Sequence, residues 1–347
     1  MSFETVILDR PTRKELEPVE EFLKQEDLLL DKKVEYTVVI LDDDKIIGTG
    51  SFEKNILKCI AVDDKYRGEG ISNMIASELI SEEYRRDTSK LFLFTKPKNE
   101  KLFNQLGFYL LVKSEKAILL ENDKHGIERY CKELVKESEN SNICNENYKK
   151  IAGIVMNCNP FTFGHKYLVE QASKENEIVH LFVVDEDESI FPTEVRYKLV
   201  LEGIKEFNNV VVHRAVDYII SNSTFPTYFL KSVSEIVQSQ ATLDAKIFAK
   251  YIAKSLKINK RYVGNEPFSE VTRIYNEILK EILPAENIEV VEIERKEIDG
   301  VKISASRVRE LLKEENFEEI KKLVPVTTYN FLISDKAKEI INKLKLM

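Results

Sequence analysis

Apolar residues change their spacing along the chain, and the change separates two regions. Thr5 to Leu8 reads as a short strand. From Thr12 to Gln25 the residues Leu16, Val19, Phe22 and Leu23 recur at helical spacing and share one face. Tyr36 to Leu41 is β-branched and apolar, Asp42-Asp43-Asp44 supplies a turn, and Lys45 to Phe52 returns, which predicts a hairpin. Leu57 to Val62 continues as strand. Past a Gly-rich turn, Ile71, Met74, Ile75, Leu79 and Ile80 again repeat as in a helix. Lys90 to Thr95 is a strand, Asn99 to Leu106 a short helix, and strands follow around Phe108 to Val112 and Ala117 to Leu120. This order predicts a mostly antiparallel sheet with few helices.

Lys136 to Lys149 is polar, clusters Asn and Ser, and reads as a connector. Beyond it the pattern alternates. Strands are expected at Ile151 to Met156, Ile178 to Val184, Val210 to Val212, Arg261 to Val263 and Ile288 to Ile293. Helices are expected at His165 to Lys174, Thr193 to Phe207, Phe225 to Gln240, Val271 to Ile282 and Ser306 to Glu315. Such alternation predicts a parallel, doubly wound sheet that binds ligands at the carboxyl ends of its strands. The fold class is therefore mixed α/β. An α+β domain over 1–137 precedes a linker over 138–149, a parallel-sheet, Rossmann-like domain over 150–325, and a C-terminal helix over 326–347.

Composition narrows the function classes. A length of 347 residues suits two domains, and 43% hydrophobic with 32% charged residues excludes low-complexity disorder. The longest apolar runs are short, and Ile178 to Val184 is broken by His180, so no membrane span is expected. Met1 to Thr5 has no secretory character, which points to the cytoplasm. A net charge of −8 gives no basic field for nucleic acid. Cys59, Cys131, Cys144 and Cys158 form no C-x-x-C pair, and His125, His165, His180 and His213 lack metal-ligand spacing, so no metal site is expected.

Two segments carry chemistry. In Asn159-Pro-Phe-Thr-Phe-Gly-His165 a strand runs through a turn into a helix, and the open N–H groups of that helix start suit a phosphate. Gly164 permits close approach, while Thr162 and His165 add donors. An ordinary cap at Thr162 with a first-turn histidine accounts for the pattern equally well. In Ile303-Ser-Ala-Ser-Arg-Val-Arg309, Ser304 and Ser306 can cap a helix and touch an anion that Arg309 also reaches; a plain cap with solvated arginines is the alternative. Gly264 and Glu266 follow a strand end, suited to a ribose or adenine contact or to a simple turn. Lys166 and Arg196 are cationic candidates near the phosphates or else solvated residues of a helix face; His180 reads as a core or edge-strand residue, and His213-Arg214 as a strand end either packed or facing the crevice. Cys158 has no activating neighbour. In the first region, Val62 to Ser72 holds a Gly-rich strand-to-helix turn that suits a pyrophosphate or simply turns the chain.

These residues carry a resemblance. Asn159 to His165 is similar to the T/H-x-G-H signature of the nucleotidyltransferase superfamily, and Ile303 to Arg309 to its I-S-S-T-x-x-R signature, with Ala305 and Ser306 in the Ser and Thr positions. The resemblance spans roughly 150–325. It implies an ATP site of Asn159, Phe161, Thr162, Gly164, His165, Gly264, Glu266, Ser304, Ser306 and Arg309. Within it His165, Thr162 and Arg309 do the chemistry, and Mg²⁺ arrives on the ATP phosphates. Arg67-Gly68-Glu-Gly70-Ile-Ser72 resembles the R-x-x-G-x-G/A turn of GNAT acetyltransferases, supported by Leu106-Gly107-Phe108. Ser72 takes the last Gly/Ala position, and Phe103 stands where many members carry a Tyr acid. Binding of a CoA-like group by Arg67, Gly68, Gly70 and Ser72 is therefore implied more than acetyl transfer.

The order of the two domains resembles the citrate lyase ligase family over essentially the whole chain. Ile190-Phe-Pro, Tyr218-Ile-Ile-Ser, Ala-Thr-Leu-Asp244, Tyr262 to Phe268 and Val291-Glu-Ile-Glu-Arg295 are further similar segments. The resemblance implies a ligase that uses ATP and acetate to acetylate the thiol of a CoA-derived prosthetic group on the acyl carrier subunit of citrate lyase. An adenylyltransferase making a coenzyme dinucleotide from ATP and phosphopantetheine is the other expectation.

Overall fold

The computed structural model describes residues 3–31, 33–141, 143, 147–185, 189–215, 217–220, 225–230, 232–265, 269–298 and 301–346. The chain forms two compact units. The first takes Met1–Gly126 and Thr224–Leu243, the second Ile127–Ser223 and Asp244–Met347.

The first unit runs β1 (Glu4–Asp9), α1 (Arg13–Gln25), β2 (Tyr36–Asp42), β3 (Lys45–Glu53), β4 (Ile56–Val62), α2 (Ile71–Arg85), β5 (Phe92–Thr95), α3 (Glu100–Gln105), β6 (Tyr109–Lys113) and β7 (Ile118–Glu121). Its seven strands lie in the order β1-β2-β3-β4-β5-β7-β6. Every pairing is antiparallel except β4 with β5, as the hairpin-rich sequence implies. The apolar stripe of α1 is buried at Leu16, Val19, Phe22 and Leu23, and a Thr12–Glu15 capping box starts the helix. Glycines let α2 approach β3: a Cβ at Gly50 would come within 2.4 Å of Ile75.

The second unit runs α4 (Gly126–Asn140), β8 (Ile151–Met156), α5 (Phe163–Glu175), β9 (Ile178–Val184), α6 (Thr193–Gly203) and β10 (Val210–Ala215); α7 (Val233–Ile247) falls in the first unit up to Leu243 and in the second from Asp244, and α8 (Lys254–Leu256) follows. It continues through β11 (Lys260–Gly264), α9 (Glu270–Ile282), β12 (Glu289–Ile293), β13 (Glu297–Ile298), β14 (Val301–Lys302), α10 (Ala305–Lys313), α11 (Phe317–Leu323), α12 (Val326–Leu332) and α13 (Asp335–Lys345). Five parallel strands lie in the order β10-β9-β8-β11-β12. The sheet is wound outward both ways from β8, so the expected doubly wound arrangement is present.

Four boundaries differ from expectation. Residues 127–137 join the second unit, because Tyr130 packs on Tyr218 with ring centroids 5.0 Å apart and Glu137 bonds His213. Of the expected linker, 138–140 is still helix, and 142 and 144–146 lie outside the described residues. The expected C-terminal helix is two helices, α12 and α13, broken at Ile333–Ser334, where the Ser334 hydroxyl donates to the Phe331 carbonyl. The expected helix from Phe225 begins only at Val233, and 225–230 belongs to the first unit.

Candidate active site

The sheet order places the reversal between β8 and β11. Loops leaving these strands diverge, and a crevice opens at their carboxyl ends. The loop after β8 contains a cis Asn159–Pro160 peptide. Its Phe161 is fully buried against Gly203, where a Cβ would lie 2.5 Å from the ring. With Phe161 fixed, Thr162 sits at the start of α5.

There Thr162 and His165 form a reciprocal cap. The His165 N–H donates to Thr162 Oγ1 at 3.4 Å, and the Thr162 N–H donates to His165 Nδ1 at 3.1 Å. An Nδ1 that accepts carries no proton, so neutral His165 holds its proton on Nε2 and is a donor there. Its surroundings and the charge of Arg295 push the imidazole pKa down to about 4, and the ring is neutral near pH 7. It stacks on Phe161 at 5.9 Å with planes 16° apart.

The second segment arrives beside the first. The Ile303 carbonyl oxygen lies 3.3 Å from where a Cβ on Gly164 would stand, which is why this helix start needs glycine. Ser304 caps α10 by accepting from the Arg307 N–H at 3.1 Å. One turn on, Arg309 donates from Nη1 to the Asn159 carbonyl at 2.6 Å and from Nη2 to Ser306 Oγ at 3.1 Å. Two helix starts, 150 residues apart in sequence at this bond, are brought together with an imidazole and a guanidinium beside them.

Residues 151–332 match the model of the citrate lyase ligase C-terminal domain, and residues 7–117 that of an acetyltransferase (GNAT) domain. The chain is 39% identical over 333 residues to the [Citrate [pro-3S]-lyase] ligase of Klebsiella pneumoniae, covering 94% of each chain. It is 40% identical over 329 residues to the protein of the same name from Escherichia coli K12, covering 93% of this chain and 92% of that one. The chain belongs to the citrate lyase ligase family.

In this family member the expected residues divide into donors and scaffold. His165 and Arg309 stand at the helix starts. Asn159 is scaffold, its carbonyl taken by Arg309 and its side chain accepting from the Phe191 N–H at 3.0 Å. Phe161 is the buried platform of the imidazole. Gly264 ends β11 with nothing within 4 Å of an added Cβ, and its carbonyl accepts from Asn276. Glu266 lies outside the described residues.

In the first unit Gly68 and Gly70 adopt φ of 95° and 79° and face open space, and Arg67 pairs with Asp64. Ser72 lies in the first turn of α2, a helix whose cap residue, Gly70, has no side chain to close its N–H groups.

Four other candidates fall away from the site. Arg196 is neither a phosphate cation nor a solvated residue of the helix face. Fully buried, it donates to the carbonyls of Phe191, Asn157 and Val184 and so ties the ends of β8 and β9 to the segment that leads into α6. Lys166 pairs with Glu206 at 2.8 Å. His213 is packed, not facing the crevice: it bonds His180 at 3.0 Å and Glu137 at 2.7 Å. Burial pushes the Cys158 thiol far up, so it is no nucleophile.

Near the two helix starts stands a pair to which residue reasoning gave no role. Arg295 donates to the Asn265 carbonyl at 2.9 Å and lies close enough to perturb His165. The Lys296 ammonium is 5.7 Å from the ring centroids of Phe163 and Tyr167, and its carbonyl accepts from the Ile303 N–H. The signal was there: two basic residues one position past the end of the last parallel strand, at the ligand-binding edge of such a sheet.

Proposed function

We propose that this chain is an ATP-dependent acid–thiol ligase. It activates acetate as acetyl-adenylate and acetylates the thiol of a CoA-like prosthetic group on the acyl carrier subunit of citrate lyase. The observation that carries the reading is the reach of Arg309 to the Asn159 carbonyl, which joins the two phosphate-ready helix starts into one site. Acetate is a poor acyl donor because oxide would have to leave. When its carboxylate oxygen attacks the α-phosphorus, the bond to pyrophosphate breaks; the thiolate sulfur then attacks the acyl carbon and AMP leaves. The protein positions charge in this scheme and forms no covalent intermediate.

In this reading the Nε2 proton of His165, fixed there by the Thr162 amide, donates to the phosphate oxygens, with Thr162 holding the ring. Ser304, Ser306 and Arg309 hold the β- and γ-phosphates, and Gly264 leaves room for the nucleoside. Mg²⁺ would arrive on the ATP phosphates, held by them and by water. The first unit would hold the CoA-like group at Arg67, Gly68, Gly70 and Ser72, through the open N–H groups of α2. A reaction that spends ATP places the protein in the cytoplasm.

The test is acetate-dependent exchange of labelled pyrophosphate into ATP, followed by acetyl transfer to the deacetylated carrier. His165→Ala is expected to lower exchange by about 10²–10³-fold, the usual loss for one transition-state donor. Exchange that ignores acetate, or a stable dinucleotide formed from phosphopantetheine, would refute the ligase in favour of an adenylyltransferase.

A further inference from the structure

Positive side chains of the second unit sort by what holds them. Lys166 lies against Glu206 and Arg214 against Glu194, and on α10 Arg307 pairs with Glu310 at 3.2 Å. A carboxylate neutralises each of these charges. Arg309, two residues further on, is held instead by the Asn159 carbonyl and the Ser306 hydroxyl, which leave its charge intact.

Lys296 is held in a third way. Its ammonium stands 5.7 Å from the ring centroids of both Phe163 and Tyr167, the first and fifth residues of α5. Among the described residues it has no carboxylate partner, and the acids around it are engaged elsewhere. Glu294 accepts from Asn265 at 2.6 Å, and Glu170, which feels the lysine's charge, pairs with Lys174 at 2.6 Å. A ring face attracts a cation without cancelling its charge, and does so weakly where water reaches. The ammonium is seated but not neutralised.

The backbone fixes where that seat stands. The Ile303 N–H donates to the Lys296 carbonyl at 3.1 Å, and the Ile303 carbonyl oxygen lies 3.3 Å from where a Cβ on Gly164 would be. Ile303 directly precedes Ser304, the cap of α10, and Gly164 is in the first turn of α5. The lysine main chain is therefore pinned where the two helix starts meet. Its flexible four-carbon stem leaves the ammonium free to move.

We propose that Lys296 is a second phosphate-binding cation beside Arg309. It leaves its seat on Phe163 and Tyr167 to take the β- and γ-phosphates, and stays with pyrophosphate as the bond to the α-phosphorus breaks. This deepens the ligase reading and rests on it for the identity of the anion. The electron pair of the breaking P–O bond goes to pyrophosphate, and the ammonium donates hydrogen bonds to it without giving up a proton. A mobile point charge suits an anion that must be bound and then released, where a fixed guanidinium suits its orientation.

Calorimetry on the full chain, with inorganic pyrophosphate and AMP as probes, tests the assignment. Lys296→Met should weaken pyrophosphate binding about tenfold or more, the loss expected of one charge-assisted contact, and Lys296→Gln should match it. Lys296→Arg should recover most of the affinity. AMP, which lacks the β- and γ-phosphates, should bind these variants and the wild type alike. Lys166→Met, which removes a lysine already paired, should bind pyrophosphate as the wild type does. A wild type that ignores pyrophosphate, or Met and Gln variants that hold it within about twofold of wild type, would overturn the proposal. So would failure of Arg to recover binding, a matching loss for AMP, or a matching loss in Lys166→Met. Acetate-dependent pyrophosphate exchange, run in parallel, separates the two readings. Exchange that ignores acetate, while Lys296→Met still loses pyrophosphate, would sink the ligase and leave the lysine in its role.

Discussion

At the scale of single residues, His165 caps α5 with the same ring that is proposed to donate to the phosphates. Position 165 is the third residue of α5, where a capping box ordinarily places Glu or Gln. His165→Glu should therefore keep the melting temperature within a few degrees of wild type. It should also abolish pyrophosphate exchange, because a carboxylate would face the phosphates. A variant that melts far lower would show that the ring is needed for folding as well. Neutral imidazoles also set a pH response. Burial pushes His180 down to about 3, below its unfolded value of about 6.5. Below pH 6.5 the unfolded chain takes up a proton that the folded one refuses, so stability falls with acidification. Glu83, pushed up to about 7 by burial, runs the other way, so His180 must be isolated by comparison with His180→Asn. Between pH 6.5 and 5 the wild type should lose about 1–2 kcal/mol more than the variant in urea unfolding. Parallel profiles would mean that His180 can protonate in place.

Elements were legible where their signals were local. The alternation in the second half gave the five parallel strands, and hairpin spacing gave the antiparallel sheet. Helix α7 was read too early because Phe225, Phe229 and Leu230 sit at helical intervals, although the partners of this segment lie far away in sequence, at Leu29 and at Phe94 of β5. Arg196 was illegible for a similar reason: its partners are backbone carbonyls, which leave no mark in composition. The helix starts at Thr162 and Ser304 were legible as caps, but their meeting through Gly164 and Arg309 was not, since spacing along a chain does not report contact across it. The glycines test the packing of these elements. Gly203→Ala should push Phe161 from under His165, costing roughly 1–3 kcal/mol in thermal unfolding and lowering exchange activity. Gly264→Ala meets nothing within 4 Å and should fold normally while raising the KM for ATP. Equal loss of stability in both would mean that β11 ends against a wall.

For the whole molecule, the decisive fact is that no single cut separates the units, because 224–243 belongs with 1–126. A fragment of 127–347 would carry Phe225, Tyr228, Phe229 and Leu230 without their cover. Such a patch favours aggregation. The fragment should be recovered mostly insoluble when produced alone, and co-production of 1–126 should restore it to solution. A monodisperse 127–347 in gel filtration would refute this.

The same discontinuity sets a schedule on the ribosome. The first 126 residues emerge with every strand of their sheet but without the phenol that donates to the Phe94 carbonyl of β5. They must wait while the first three strands of the second unit are translated. Only a nascent chain too short to deliver Tyr228 presents that end of β5 to the cell uncovered, and a chaperone would have to meet it in that interval.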